Sequence, residues 1–143
     1  MSTEENKAVI RRVIEEVWNK GNLAVADEVI ANNYVFDAAG QEFKGPEGLK
    51  QAVTIYRTAF PDFHITIDDM VAEGDKVASR FTVRGTHKGD LMGIAPTGKQ
   101  VTVTGTAFNR LVGGKEVEAR ASMDQLGMLQ QMGVVPPMGQ GEG

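Results

Sequence analysis

The chain contains no cysteine, which excludes disulfides, thiolate metal sites and a cysteine nucleophile together. Histidine is nearly as scarce: His64 and His87 are the only imidazoles and no H-E-x-x-H spacing occurs, so neither a structural nor a catalytic zinc site is expected. A positive surplus is also missing. Fifteen Lys and Arg stand against 19 Asp and Glu, for a formal charge of −4, and no basic cluster is present to attract a nucleic-acid backbone. No apolar run reaches the ~18 residues of a membrane-spanning helix, and the N-terminal MSTEENKAV lacks the basic and apolar regions of a secretory leader. These absences point to a cytoplasmic protein with no nucleic-acid or membrane partner and a small-molecule ligand. At 143 residues one domain is expected, over residues 1–135, with a core that needs no metal or disulfide.

What is present is ordered helices first and strands afterwards. Ser2 followed by Glu5 fits a capping box, and Val9, Ile10, Val13, Ile14, Val17 and Trp18 form a stripe at helical spacing that ends at Gly21. Leu23, Ala26, Val29 and Ile30 continue as a second short helix closing on Asn32–Asn33, and Tyr34 to Asp37 is a brief extended piece. Gly45–Pro46 opens a third helix, with Leu49, Val53, Tyr56 and Phe60 along one side and Pro61 as its stop. The period then changes to two, through residues 63–73 and 76–87, with a turn at Glu73–Gly74–Asp75. Residues 88–99 combine three glycines and a proline with Leu91, Met92 and Ile94. Such an apolar loop either covers a pocket mouth or packs within the domain or on a second subunit. Residues 136–143, rich in Pro and Gly, read as a flexible tail. The whole is an α+β layout.

The richest stretch is the hairpin from Val101 to Asp124, turning at Gly113–Gly114, a pair suited to the positive φ angles of a type I′ turn. If Val112 lies opposite Lys115, an uninterrupted register sets Asn109 against Glu118, Ala107 against Arg120, Gly105 against Ser122 and Val103 against Asp124. Small residues beneath polar ones leave room for a ligand, and a carboxylate beside Val103 would be partly desolvated and raised in pKa, as acid/base work requires. The competing reading makes Asp124 the cap of a short helix beginning at Gln125. Phe36, Tyr56 and Phe108 are expected to line core or pocket walls.

Read together, NKAVIRRVIEEVWNKGN, GPEGLK, FPDFHITIDDMVAEGDKV, RGTHKGDLMGIAPTGK and DQLGMLQQMG resemble the SnoaL-like polyketide cyclase, or ester cyclase, family over roughly residues 6–135. The resemblance implies a nuclear transport factor 2-like (cystatin-like) fold, a cone of curved antiparallel sheet wrapped by N-terminal helices. It also implies closure of a ring by intramolecular aldol condensation of a polyketide ester, with no metal and no cofactor. An aspartate near the end of the last long strand acts as general acid/base in that family, and Asp124 stands at the matching position. Relatives often carry His and Trp shortly before it, where this chain has Ala119, Arg120, Ala121, Ser122 and Met123, and an Asp–His pair where this chain has Phe36–Asp37. The expected site is therefore Asp124 as catalytic residue, with Asn109, Arg120, Ser122, Phe108, Phe36, Asp37 and Tyr56 binding a small apolar molecule. Two other readings share the fold: an epoxide hydrolase-like or isomerase-like enzyme, and a binder or dimeric scaffold without catalysis. Mixed polar and apolar faces on the strands lead to the expectation of a homodimer.

Overall fold

The computed structural model describes residues 2–38 and 40–136. Helix α1 spans Thr3–Arg12 and runs without interruption into a π-helical stretch, Val13–Asn19. Its start is set by the capping box: the Glu5 amide donates to Ser2 Oγ at 3.0 Å and the Ser2 amide to Glu5 Oε1 at 3.1 Å. Its far end is held from two sides. Arg57 donates to the Trp18 and Asn19 carbonyls at 3.0 and 2.7 Å, and the Asn19 side-chain amide pairs with both backbone groups of Ile65, at 2.7 and 2.9 Å. The arginine thus satisfies carbonyls that a helix end leaves open, and Trp18 is fixed between α1 and the sheet.

Helix α2 (Ala24–Val29) stops earlier than its periodicity suggests, and strand β1 (Ile30–Ala38) takes over Asn32–Asn33. The reason is distant in sequence: Ile30 pairs with Glu116, and Val35 to Ala38 with Glu118 to Ala121, in a parallel ladder. Such a tertiary pairing overrides local helical preference. Strand β2 (Gln41–Lys44) returns antiparallel along β1. Helix α3 (Gly45–Ala59) begins and ends where Gly45–Pro46 and Pro61 place it. Strands β3 (His64–Glu73), β4 (Lys76–Thr86), β5 (Gln100–Val112) and β6 (Lys115–Met123) form an antiparallel meander, and α4 (Gln125–Gln131) closes the described chain. The six strands lie in the order β2-β1-β6-β5-β4-β3, so the sheet contains one parallel pair where an all-antiparallel cone was expected. Its curved inner face carries Phe36, Ile65, Val83, Val101, Val103 and Ala119 against Trp18, Leu49, Val53 and Phe60 of the helical side.

Loop 88–99 belongs to this core. Leu91 is 1% exposed, Ile94 packs against the same cluster, and the two exchange backbone hydrogen bonds of 3.0 and 2.9 Å. The Lys88 and Gly89 amides both donate to the Ala59 carbonyl at 3.0 Å. Met92 alone of the three apolar residues is exposed. None of residues 88–99 lines the cavity described below, so the loop seals the end of α3 rather than a pocket mouth. The tail read at 136–143 lies, apart from Pro136, outside the described residues.

Candidate active site

Gly113 and Gly114 have φ of 58° and 84°, as the hairpin turn demands, and Val112 lies opposite Lys115. Leu111 then faces Glu116, but Arg110 faces Glu118, leaving Val117 as an extra residue. This is a β-bulge, which bends the strand and shifts everything beyond it by one position. Asn109 consequently faces Ala119 rather than Glu118, Ala107 faces Ala121 rather than Arg120, and Gly105 faces Met123 rather than Ser122. A shift of one residue turns every following side chain to the other face. Ala119, Ala121 and Met123 point inward, while Glu118, Arg120 and Ser122 share the outer face with Arg110, Phe108 and Thr106.

Glu116, just before the bulge, lies opposite buried Leu111 and faces inward. It is fully enclosed, 1% exposed, at a wall of a cavity of about 110 Å³ bounded by α1, β1, α3 and β3 to β6. Asn109 Nδ2 donates to Glu116 Oε2 at 3.0 Å. Burial pushes the carboxyl up to a pKa of about 8, against which the hydrogen bond from Asn109 pulls down. Tyr34 faces the same cavity; its phenol is raised well above the usual range, first by burial and then by the charge of Glu116, and so stays a hydrogen-bond donor. Burial also raises the Tyr56 phenol. The rest of the wall is apolar apart from Ser79 and Gln125. A carboxyl group that changes charge close to neutrality, held by one amide in an apolar cavity, is equipped both to take and to return a proton.

Asp124 lies beyond the last ladder pair. Its amide donates to the Thr104 carbonyl at 3.0 Å, and its Oδ1 accepts from the Gly127 amide at 2.9 Å, the arrangement of a helix N-cap. A Cβ on residue 127 would collide with Asp124 Oδ2, so Gly127 is what allows the carboxylate to fold over the start of α4. Asp124 is exposed and does not pair with Val103, which lies opposite Val83 of β4 instead. Of the residues singled out in the sequence, Phe36, Tyr56 and Asn109 line the cavity. Asp37, Phe108, Arg120, Ser122 and Asp124 come together elsewhere, around an open cleft on the outer side. Cleft and cavity share Ala121, Met123 and Gln125, which places them side by side at the end of β6.

Glu116 was missed because a charged residue two positions after a turn reads as solvated. The available signal was its partner: in either register Glu116 faces Leu111, which is buried. His87 is also buried, but it accepts from the Thr97 amide at 3.2 Å through Nδ1 and packs on Phe60 with ring centroids 5.5 Å apart, away from the cavity. Among the described residues no group of three or more His, Asp or Glu is placed to hold a metal ion.

A curved sheet wrapped by helices around an apolar cavity is the architecture of the nuclear transport factor 2-like fold. The model of the SnoaL-like polyketide cyclases matches residues 8–132, and the chain belongs to that family. It is 30% identical to the aklanonic acid methyl ester cyclase DnrD of Streptomyces peucetius, over 99% of this chain and 98% of that one. To the aklanonic acid methyl ester cyclase DauD of Streptomyces sp. (strain C5) it is 29% identical, over 93% of this chain and 84% of that one. The fold superposes on the crystal structure of IdmH from Streptomyces antibioticus with a TM-score of 0.79 and 31% identity, covering 90% of this chain and 99% of that one. It also superposes on TsrD from Streptomyces laurentii with a TM-score of 0.85 and 24% identity, covering 94% and 99%.

Proposed function

We propose that this protein closes a ring in a small apolar polyketide ester by acid/base chemistry centred on Glu116. The observation that carries this reading is the buried carboxyl at the bulge, raised to a pKa of about 8, in a cavity whose other β6 positions are Ala119, Ala121 and Met123. As carboxylate, Glu116 takes a proton from the carbon alpha to a substrate carbonyl. Asn109 holds Oε2 of that carboxylate, leaving Oε1 to the substrate, and the Tyr34 hydroxyl faces the developing enolate oxygen. The enolate carbon then attacks a second carbonyl of the same molecule, a carbon–carbon bond forms, and the resulting alkoxide recovers the proton from Glu116. The sum is an isomerisation, with Glu116 restored. A cavity of about 110 Å³ is well below the ~300–1,000 Å³ that encloses a drug-sized ligand, so it receives the reacting ring, and the remainder of the substrate extends into the adjoining cleft beside Arg120 and Ser122.

The test is to incubate the protein with aklanonic acid methyl ester, the compound named in its relatives. Conversion to a product of unchanged mass and altered retention is expected, with deuterium entering the alpha position in heavy water. If neither ring closure nor exchange exceeds the protein-free rate for this ester or for simpler β-keto esters, the acid/base reading is overturned.

Assembly follows from the outer face of the sheet. Asp37, Arg120, Phe108, Ala78 and Val71 form one row of cross-strand neighbours, in which Phe108 is 62% exposed and Val71 61%. Arg80 and Arg84 flank this row on β4, Glu118 on β6. A twofold axis across β5 would stack the apolar centre on itself and set arginines against acids, the isologous geometry of a homodimer. Light scattering is expected to give about twice the 15.4 kDa of one chain, and Phe108→Lys to restore the single-chain mass; a wild-type monomer at micromolar concentration would rule the dimer out.

A further inference from the structure

The cavity wall has a charge asymmetry that closing a ring in a neutral ester does not require. Six aromatic residues line it, Trp18, Tyr34, Phe36, Tyr56, Phe63 and Phe81, together with the carboxyl of Glu116, and no Lys, Arg or His does. Four of the rings are contiguous: Trp18 lies 6.0 Å from Phe36, 6.2 Å from Tyr56 and 5.7 Å from Phe63, and Tyr56 lies 6.1 Å from Phe63, centroid to centroid. Aromatic faces carry negative potential and attract a cation lying within about 6 Å of the ring centroid, most strongly where water is excluded. An anionic ligand would find no countercharge in this cavity, whereas a cation would find rings for its apolar surface and a carboxylate for its charge.

From this arrangement we infer that the cavity is also a binding site for small alkylammonium ions, with the aromatic side chains around the alkyl groups and Glu116 as counterion. The size agrees. A cavity of about 110 Å³ is smaller than the ~150 Å³ that holds a benzene molecule, which suits an ion of three or fewer methyl groups and excludes tetramethylammonium and long-chain amines. This inference rests on the composition of the cavity and not on the cyclase reading. Binding has a proton balance: below the pKa of Glu116 the cation enters as the carboxyl proton leaves to solvent, one released for each ion bound. The titratable groups facing Glu116 are Tyr34 from β1 and, along the wall, Tyr56 from α3; the cavity-lining residues of α1, its π-helical extension, β3, β4 and β5 include no charged group.

The experiment titrates the full chain by calorimetry with trimethylammonium chloride, cationic throughout the pH range used, and in parallel with isopropanol, a neutral molecule of similar size, at constant ionic strength. The cation is expected to bind at least about tenfold more tightly than the alcohol. Its affinity should rise about tenfold per pH unit between pH 6 and 8, level off above that, and be accompanied by proton release. Glu116→Gln should abolish both the preference and the pH dependence while leaving the alcohol's affinity within about twofold. The inference is overturned if the cation does not bind, if alcohol and cation bind equally, or if the Gln variant keeps the preference. The comparison of cation with alcohol on the wild-type chain decides the matter even if the variant does not fold. Failure to turn over a polyketide ester would leave this result untouched, so the two readings fail separately.

Discussion

Replacing Glu116 by Gln is expected to lower turnover roughly 10²–10⁴-fold, the usual contribution of a positioned acid/base, with little change in substrate binding. Gln has the same shape, and its Oε1 can still accept from Asn109 Nδ2, which donates to Glu116 Oε2 at 3.0 Å; what disappears is the capacity to take a proton. In the wild type the rate should climb with pH and level off near the carboxyl's pKa of about 8, since the reactive form is the carboxylate. The Gln variant should lose that inflection along with the rate. Asp124→Asn provides the contrast. Asn caps a helix about as well as Asp, the carboxylate it replaces accepts the Gly127 amide, and turnover should stay within about twofold of wild type. A Glu116→Gln chain as active as the wild type, or a large loss in Asp124→Asn, would move the proton transfer away from the bulge and back to the end of β6. Single-turnover kinetics with the ring-closing substrate, across pH 5 to 9, distinguishes these outcomes.

Much of the fold was legible because its signals are local. The capping box at Ser2 and Glu5, the Gly45–Pro46 start of α3, the stop at Pro61 and the Gly113–Gly114 turn each act within a few residues of the position they determine. What was not legible depends on partners far away in sequence. Helix α2 ends at Val29 because Ile30 pairs with Glu116, and nothing between Asn22 and Asp37 encodes that pairing. The site was misread for a related reason. Turn geometry fixes register only until the first bulge, and Val117 lies three residues past Gly114. No composition rule marks Val117 as an extra residue, so the alternation was carried one position out of phase along β6. That single step turned Arg120 and Ser122 out of the cavity and brought Ala119, Ala121 and Met123 into its wall, leaving Glu116, inward-facing in either register, as the acid of that wall. Asn109, Phe36 and Tyr56 do stand in the cavity wall, because β5, β1 and α3 keep their phase. Family resemblance supplied the architecture, but the matching aspartate it pointed to is at a helix cap in this chain. Shared fold and shared motif thus do not by themselves locate the reacting group.

Stability should carry the same signature as catalysis, and in a way that needs no substrate. Glu116 is an acid whose pKa in the folded protein, about 8, lies above the ordinary value of 4.5. Between these two values the unfolded chain has released the proton and the folded chain has kept it, so raising the pH favours unfolding. The neutral carboxyl's contribution is therefore fully present below about pH 4.5, declines by about 1.4 kcal/mol for each pH unit above it, and is lost by pH 8, beyond which the slope vanishes. Exposed carboxylates change in the opposite direction. Asp62, held below its usual range mainly by the hydrogen bond from the Thr86 amide, loses its contribution only on acidification. The difference between wild type and Glu116→Gln cancels such groups and isolates the buried one, because Gln does not titrate. The Gln variant is expected to equal or fall slightly below the wild type near pH 4.5 and to gain on it steadily up to pH 8, ending more stable by a few kcal/mol at most. Urea denaturation of both chains at pH 4.5, 6, 7, 8 and 9 measures the gap directly. A gap that stays constant over this range would mean that Glu116 is ionised in the folded protein at neutral pH, and the proton store on which the catalytic reading depends would not exist.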